Sequence, residues 1–181
     1  AVDLANASAR KAFLLSMDTI TGAATHQVIG GPRGVSEDVY TQLRVTHGIS
    51  GIAPVVEGSV TIDGTTLSML GVDLFAEREI RTFTAGARAR NADESGANSL
   101  FAEFLVTPGA VTASQQTAQH LGVSVGDTFE LLVDGKTQQA RLLATLPDDG
   151  TGSLDRLLVT DIATAQEWLG LPGWLSRIDV R

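Results

Sequence analysis

The stretch from Ile52 to Phe75 constrains the fold of this chain more than any other. Asp63-Gly64 stands at its middle, and Asp-Gly is a strong hairpin signal because both central positions of a type I′ turn need positive φ. Closing the chain there sets Ile62 opposite Thr65, Val60 opposite Leu67, Gly58 opposite Met69 and Val56 opposite Gly71. The other face then carries Thr61 with Thr66, Ser59 with Ser68, and Glu57 with Leu70. One face is mostly apolar or small and the other mostly polar, as a half-buried antiparallel pair requires. A slip of one residue would invert every side chain, so the register is tightly specified.

Around this hairpin the remaining elements fall into place. Residues 1–22 read as a helix with a narrow stripe of small apolar side chains, and Gly22 can end it. Thr25 to Gly30 reads as a short strand, Gly30 to Gly34 as a loop, and Ser36 as the cap of a helix whose Val39, Leu43 and Tyr40 face inward. A short strand is expected near Ile80–Thr84, then a loop with Asn91–Ala97 least ordered. Leu100–Val106 reads as one or two helical turns closed by Pro108-Gly109, and Ala110–Thr112 as a strand. Thr112 or Ser114 caps the next helix, with Ala118 and Leu121 inward and Gly122 as its stop. A second hairpin is expected about Asp134-Gly135, between Phe129–Val133 and Gln138–Leu146. Residues 147–153 read as a connector, followed by strand Arg156–Thr160, an Asp161-capped helix ending at Gly170, and strand Leu175–Arg181.

The order βαββ, insertion, βαβ predicts an α+β fold, with helices on one face of an antiparallel or mixed sheet in the manner of split βαβ folds. Residues 83–153 are expected to form a small β-rich domain inserted into that layer. The 181 residues carry a net charge of −8, which argues against nucleic acid and against charge-driven membrane binding. With no cysteine, disulfides and thiolate chemistry are excluded. The chain starts at Ala1 and shows neither a signal peptide nor an apolar run of membrane-spanning length, so a soluble excised or processed piece is expected.

The order of segments resembles the extracytoplasmic core domain of MacB-like, FtsX-type ABC transporter permeases. The likeness is carried by the N-terminal helix running into Thr25-His26-Gln27-Val28-Ile29-Gly30-Gly31, then Ala53-Pro54-Val55-Val56-Glu57-Gly58 and Leu70-Gly71-Val72-Asp73. It continues with Pro108-Gly109-Ala110-Val111 and with Leu121-Gly122-Val123-Ser124-Val125-Gly126-Asp127, and so covers nearly the whole chain. The resemblance implies a stalk helix over 1–24, a porter-like layer in two parts (25–82 and 154–181), and a small β-rich, Sabre-like subdomain over 83–153. It further implies a domain looped between two membrane helices on the periplasmic or extracellular side of the inner membrane. Its partners would be a cytoplasmic ABC ATPase, reached through the rest of the permease, a second permease copy or paralogue, and a periplasmic or lipidic cargo. No enzyme activity, metal or cofactor is implied. The alternative is a free-standing periplasmic ligand- or protein-binding module.

The chemical motifs are weak. Ser8-Ala9-Arg10-Lys11 matches Ser-x-x-Lys, but its supporting elements are missing, and an exposed helix face explains it. His26, His47 and His120 have no metal-ligand spacing, and His47 and His120 fall near helix C-termini, where imidazolium suits the dipole. Gly30 to Gly34 is neither a Walker loop nor a dinucleotide fingerprint. Asp93-Glu94 and Asp148-Asp149-Gly150 lack the ligand ladder of a calcium loop, and Asn6-Ala7-Ser8 is a sequon of no consequence outside a eukaryotic secretory route. The bulkiest apolar groups outside the hairpin are Phe101, Phe104 and Leu105 with Trp168, Leu171, Trp174 and Leu175. Core packing is the plain account of them. An exposed contact for a partner subunit or lipidic cargo is the functional one, with Phe101, Phe104, Leu105, Trp168 and Trp174 as its candidates.

Overall fold

The computed structural model describes residues 24–73, 102–146 and 154–180. The expected helix over 1–22, the strand near 80–84, the loop after it and the connector over 147–153 lie outside these residues.

The first strand, β1 (His26–Ile29), is followed by the two-residue β2 (Val35–Ser36) and by α1 (Glu37–Thr41), with the Ser36 hydroxyl accepting from the Asp38 amide. Val39 was expected to face inward, yet it is exposed, and only Tyr40 and Leu43 pack against the core. The reason is local. Past Thr41 the helix widens into a π-turn over Gln42–Thr46, where the His47 amide reaches back five residues to the Gln42 carbonyl. The wider turn moves the inward face off the 3.6-residue line.

β3 (Ile52–Ile62) and β4 (Thr65–Val72) pair in the register that the alternation demands, from Ile62 opposite Thr65 to Val56 opposite Gly71. Asp63 and Gly64 take φ of 47° and 79°, as a type I′ turn needs. A helical turn over 102–106 leads into β5 (Ala110–Ser114), which runs two residues further than expected. Ser114 is therefore the cap of α2 (Gln115–Leu121): its Oγ accepts from the Thr117 amide at 3.0 Å. The second hairpin pairs β6 (Thr128–Val133) with β7 (Lys136–Leu146) about Asp134-Gly135. β8 (Leu157–Asp161) leads into α3 (Ile162–Leu169), where Asp161 accepts from the Thr164 amide at 2.9 Å. The expected final strand is broken at Ser176 into β9 (Trp174–Leu175), which pairs with β2, and β10 (Arg177–Val180), which lies between β1 and β3.

The main sheet has eight strands in the order β1-β10-β3-β4-β8-β5-β7-β6, and β6 also meets β3 at Leu132 and Thr61. Six strands, from β3 round to β6, therefore close on themselves, with β10 and β1 extending from the other half of β3. The inward positions of these strands (Val60, Ile62, Leu67, Met69, Val111, Leu131, Leu142 and Leu158) are all buried in one cluster. This is the filled interior expected of a narrow barrel. A second cluster covers the opposite face: Leu70, Val72, Leu143, Leu157 and Val159 pack with Phe104 and Leu154. The hydrogen bonding does not divide at the edges of the 83–153 stretch, because β5 pairs with both β7 and β8. β5 is thus shared between β7 of that stretch and β8 after it. Among the described residues the fold is mixed α/β, rich in sheet and poor in helix.

α3 lies against two glycines of the central hairpin. A Cβ on Gly71 would stand 2.4 Å from the Ala165 Cβ, whereas one on Gly58 would meet the movable end of Leu169. Gly71→Ala is therefore expected to cost about 1–3 kcal/mol by forcing strand and helix apart. Gly58→Ala will cost measurably less in the same urea titration. Equal losses would show that α3 is held less closely at Ala165 than this geometry requires.

Candidate functional site

The four apolar candidates among the described residues do not converge. Phe101 lies outside the described residues. Phe104 (4% exposed) belongs to the outer core and Trp168 (7%) to the inner one, so core packing accounts for both. Trp174 is half-buried, and its carbonyl accepts from Gln166 Nε2, which also donates to Glu37. Leu105 is exposed beside Val106, which is 78% exposed. Among the described candidates, Leu105 is exposed and Trp174 partly so.

The polar candidates are equally scattered. The His26 ring pairs with its neighbour Thr25, His47 follows the π-turn and His120 ends α2. No group of His, Asp and Glu among the described residues could hold a metal ion. Gly30 to Gly34 is a packed turn: the Gly34 amide donates to the Gly31 carbonyl, and a Cβ on Gly34 would lie 2.0 Å from the Leu175 carbonyl oxygen. Its backbone serves the β2–β9 pairing. Ser8 to Lys11, the sequon and both acidic pairs lie outside the described residues.

Two polar arrangements that sequence reasoning passed over are well defined. In the first, Arg177 donates from Nε to Asp179 Oδ1 at 2.7 Å and from Nη1 to Glu57 Oε2. Arg177 and Asp179 are 6% and 2% exposed. Burial opposes the guanidinium charge, but the Asp179 hydrogen bond and the charges of Glu57 and Asp179 outweigh it and hold Arg177 above its ordinary range. Next to it, Ser176 Oγ accepts from the Glu57 amide and the Ser176 amide donates to the Val55 carbonyl. The cluster thus ties β10 to β3 by side chains where the strand is broken. The signal was present: Arg177 and Asp179 alternate with Ile178 and Val180, which places both charges on one face.

The second is an open cleft of about 260 Å³ between the start of β4, α2 and the turn before β8. Leu67 and Leu121 supply apolar wall, and Gln116, His120, Asp155 and Arg156 supply polar groups.

No family model matches the chain. It aligns at 38% identity over 186 positions with Rv0987, an uncharacterized ABC transporter permease protein of Mycobacterium tuberculosis. That alignment takes in 99% of this chain and 21% of the permease, so the chain spans about a fifth of that relative. The periplasmic region of MacB from Actinobacillus actinomycetemcomitans superposes with a TM-score of 0.53 at 9% identity, over 93% of this chain and 78% of that one. The fold is MacB-like. The extracellular domain of the ABC-type transporter YknZ from Gram-positive bacteria matches similarly, with a TM-score of 0.52 at 12% identity over 86% of this chain and 83% of its own. The resemblance carried by Thr25 to Gly31 and by Leu121 to Asp127 therefore holds: the chain is similar to an ABC transporter permease and has the fold of MacB-like extracytoplasmic domains. No helix among the described residues is long and apolar enough to cross a membrane.

Proposed function

We propose that this MacB-like chain is the extracytoplasmic domain of an ABC transporter permease, and that it passes ATPase-driven conformational change to an external cargo or partner without catalysing a reaction itself. The match to the mycobacterial permease across 99% of the chain carries this reading. The pairing of β1 with β10 supports it. His26 at the start of β1 pairs with Val180 at the end of β10, and the Thr25 amide and hydroxyl both donate to the Val180 carbonyl. Entry and exit thus lie side by side at one point of the sheet, as a loop between two neighbouring membrane helices needs. A displacement of either end is delivered to β10, which is bonded to β3 by strand pairing and by the Arg177 cluster.

In this reading residues 1–24 form a stalk, and residues 25–82 and 154–181 form the porter-like layer. Residues 83–153 are an insertion in chain order, and β5, β6 and β7 within it share the sheet. The permease works as a homo- or heterodimer at the inner membrane with a cytoplasmic ABC ATPase, and Leu105, with Trp174 and Phe101, belongs to the contact surface.

The test is to read the parent gene across both ends of this segment. Apolar helices of about twenty residues before Ala1 and after Arg181 support the permease loop. A signal peptide before Ala1 with a stop after Arg181 would sink it. The cleft beside α2, with its few polar groups, would then favour a free-standing periplasmic binding module.

A further inference from the structure

We propose that the cavity between α2 and the turn before β8 binds a small zwitterion with an apolar body, of the amino-acid or short-peptide class. This inference does not depend on the transport reading. The cavity measures about 260 Å³, room for roughly eight or nine waters at their liquid volume. Leu67 and Leu121 form its apolar wall. Gln116 and His120 project into it from α2, one helical turn apart, and Asp155 and Arg156 come from the opposite side. All four side chains are exposed at the mouth of the cleft and make no hydrogen bond or ion pair with one another, so they are accessible to a ligand. Asp155 and Arg156 are neighbours of opposite sign that do not pair with each other.

The lining charge is balanced, and the chain as a whole carries −8, which repels a simple anion. A zwitterion meets both conditions. Its carboxylate suits Arg156, with Gln116 and His120 as further donors, its ammonium suits Asp155, and its apolar side chain lies on Leu67 and Leu121.

The backbone of Arg156 is the second observation. Its φ is 56°, in the left-handed region. Among the described residues, the other two non-glycine residues with positive φ are Asp63 and Asp134, each opening an Asp-Gly turn where aspartate is tolerated. Arginine has no such excuse. It is held there from both sides: its amide donates to Thr117 Oγ1 at 3.0 Å and its carbonyl accepts from the Ser68 amide at 2.8 Å. Thr117 in turn is fixed by Ser114 Oγ at 2.8 Å. The cap of α2 and the edge of β4 therefore impose a conformation that glycine would adopt freely, and the residue placed there is a cation facing a cavity. Strain kept in this way is a mark of function.

The test uses the 181-residue chain with L-leucine, N-acetyl-L-leucine, L-leucinamide and the dipeptide Leu-Leu as probes, followed by amide chemical shifts. L-leucine is expected to shift the signals of residues 65–67, 116–121 and 155–156 saturably. N-acetyl-L-leucine and L-leucinamide, each missing one charge, should bind about tenfold more weakly or worse. Arg156→Gly separates strain from function: its melting temperature should rise while leucine binding is lost. Asp155→Asn should erase the preference for leucine over its N-acetyl form. Leu-Leu binding more tightly than leucine assigns the site to peptides, and weaker binding assigns it to free amino acids. No saturable shift with leucine or Leu-Leu, or unaltered leucine binding by Arg156→Gly, would overturn the proposal. Equal binding of N-acetyl-L-leucine overturns the zwitterion assignment.

Discussion

Replacing Arg177 with methionine is expected to destabilise the domain by about 3–5 kcal/mol in urea unfolding near pH 7, because it leaves a buried carboxylate without its partner. Asp179 is 2% exposed, and Arg177 Nε is its donor at 2.7 Å. Glu57 is 36% exposed at its side chain, so water can take over much of what Arg177 gave it. The double variant Arg177→Met/Asp179→Leu separates desolvation from packing: with both charges gone it should recover at least about 2 kcal/mol of the single-variant loss. If the double variant is no more stable than Arg177→Met alone, the buried charge is not the source of the loss. The sign of the pH dependence follows from the raised pKa of Arg177. A cation held above its ordinary range contributes stability that is complete below the unfolded-state value and lost only as pH rises through the folded one. For an arginine both lie far above neutrality. Stability from this group should therefore stay level between about pH 5 and 9, a range far below the ordinary arginine pKa.

Leu158→Ala is expected to cost about 2–5 kcal/mol, the usual range for a fully buried leucine whose surroundings relax only in part. Leu158 is 0% exposed and stands between Met69 of β4 and Ala113 of β5, inside the ring of strands. The form of the transition is as informative as its size. Since β8 joins β4 on one side to β5 on the other, the loss should appear as one cooperative transition shifted to lower urea. Two separated transitions, with only one shifted, would show that the β5–β7–β6 strands unfold as a lobe of their own despite the shared hydrogen bonds.

Most local structure was legible because it is decided over a few residues. Asp63-Gly64 and Asp134-Gly135 could only be turns, and period-2 alternation then left one register for the first hairpin. Ser36, Ser114 and Asp161 each offer a side-chain oxygen to an amide two or three residues on, so the helix starts were visible. Gly122 and Gly170, both in the left-handed region, marked where helices stop. The π-turn over Gln42–Thr46 was not legible, because nothing in its composition separates it from an ordinary helix, and Val39 was misplaced as a result. The break at Ser176 was hidden for a different reason. It is created by two partners distant in sequence, β2 for one half of the segment and β3 with β1 for the other.

Of the candidate sites, the aromatic groups could be picked out by size but not by depth, and Phe104 and Trp168 proved to lie in separate cores. The cavity residues were invisible as a group, since Gln116, His120, Asp155 and Arg156 come from two segments that meet only after β5 pairs with β8.

By itself the sequence determined the strands, caps, turns and pairing register of this protein, and it carried the resemblance to MacB-like permease domains. These depend on short-range sterics, on side-chain alternation and on the order of motifs, all of which are written along the chain. Only the tertiary structure decided that β6 returns to β3 to close a barrel, that α3 packs on Gly71, that Arg177 is buried against Asp179, and that a strained Arg156 faces a cavity. Each of these unites segments that are far apart in the chain. Such long-range contacts are selected by how apolar surface and charge can be buried together, and no local pattern records the outcome.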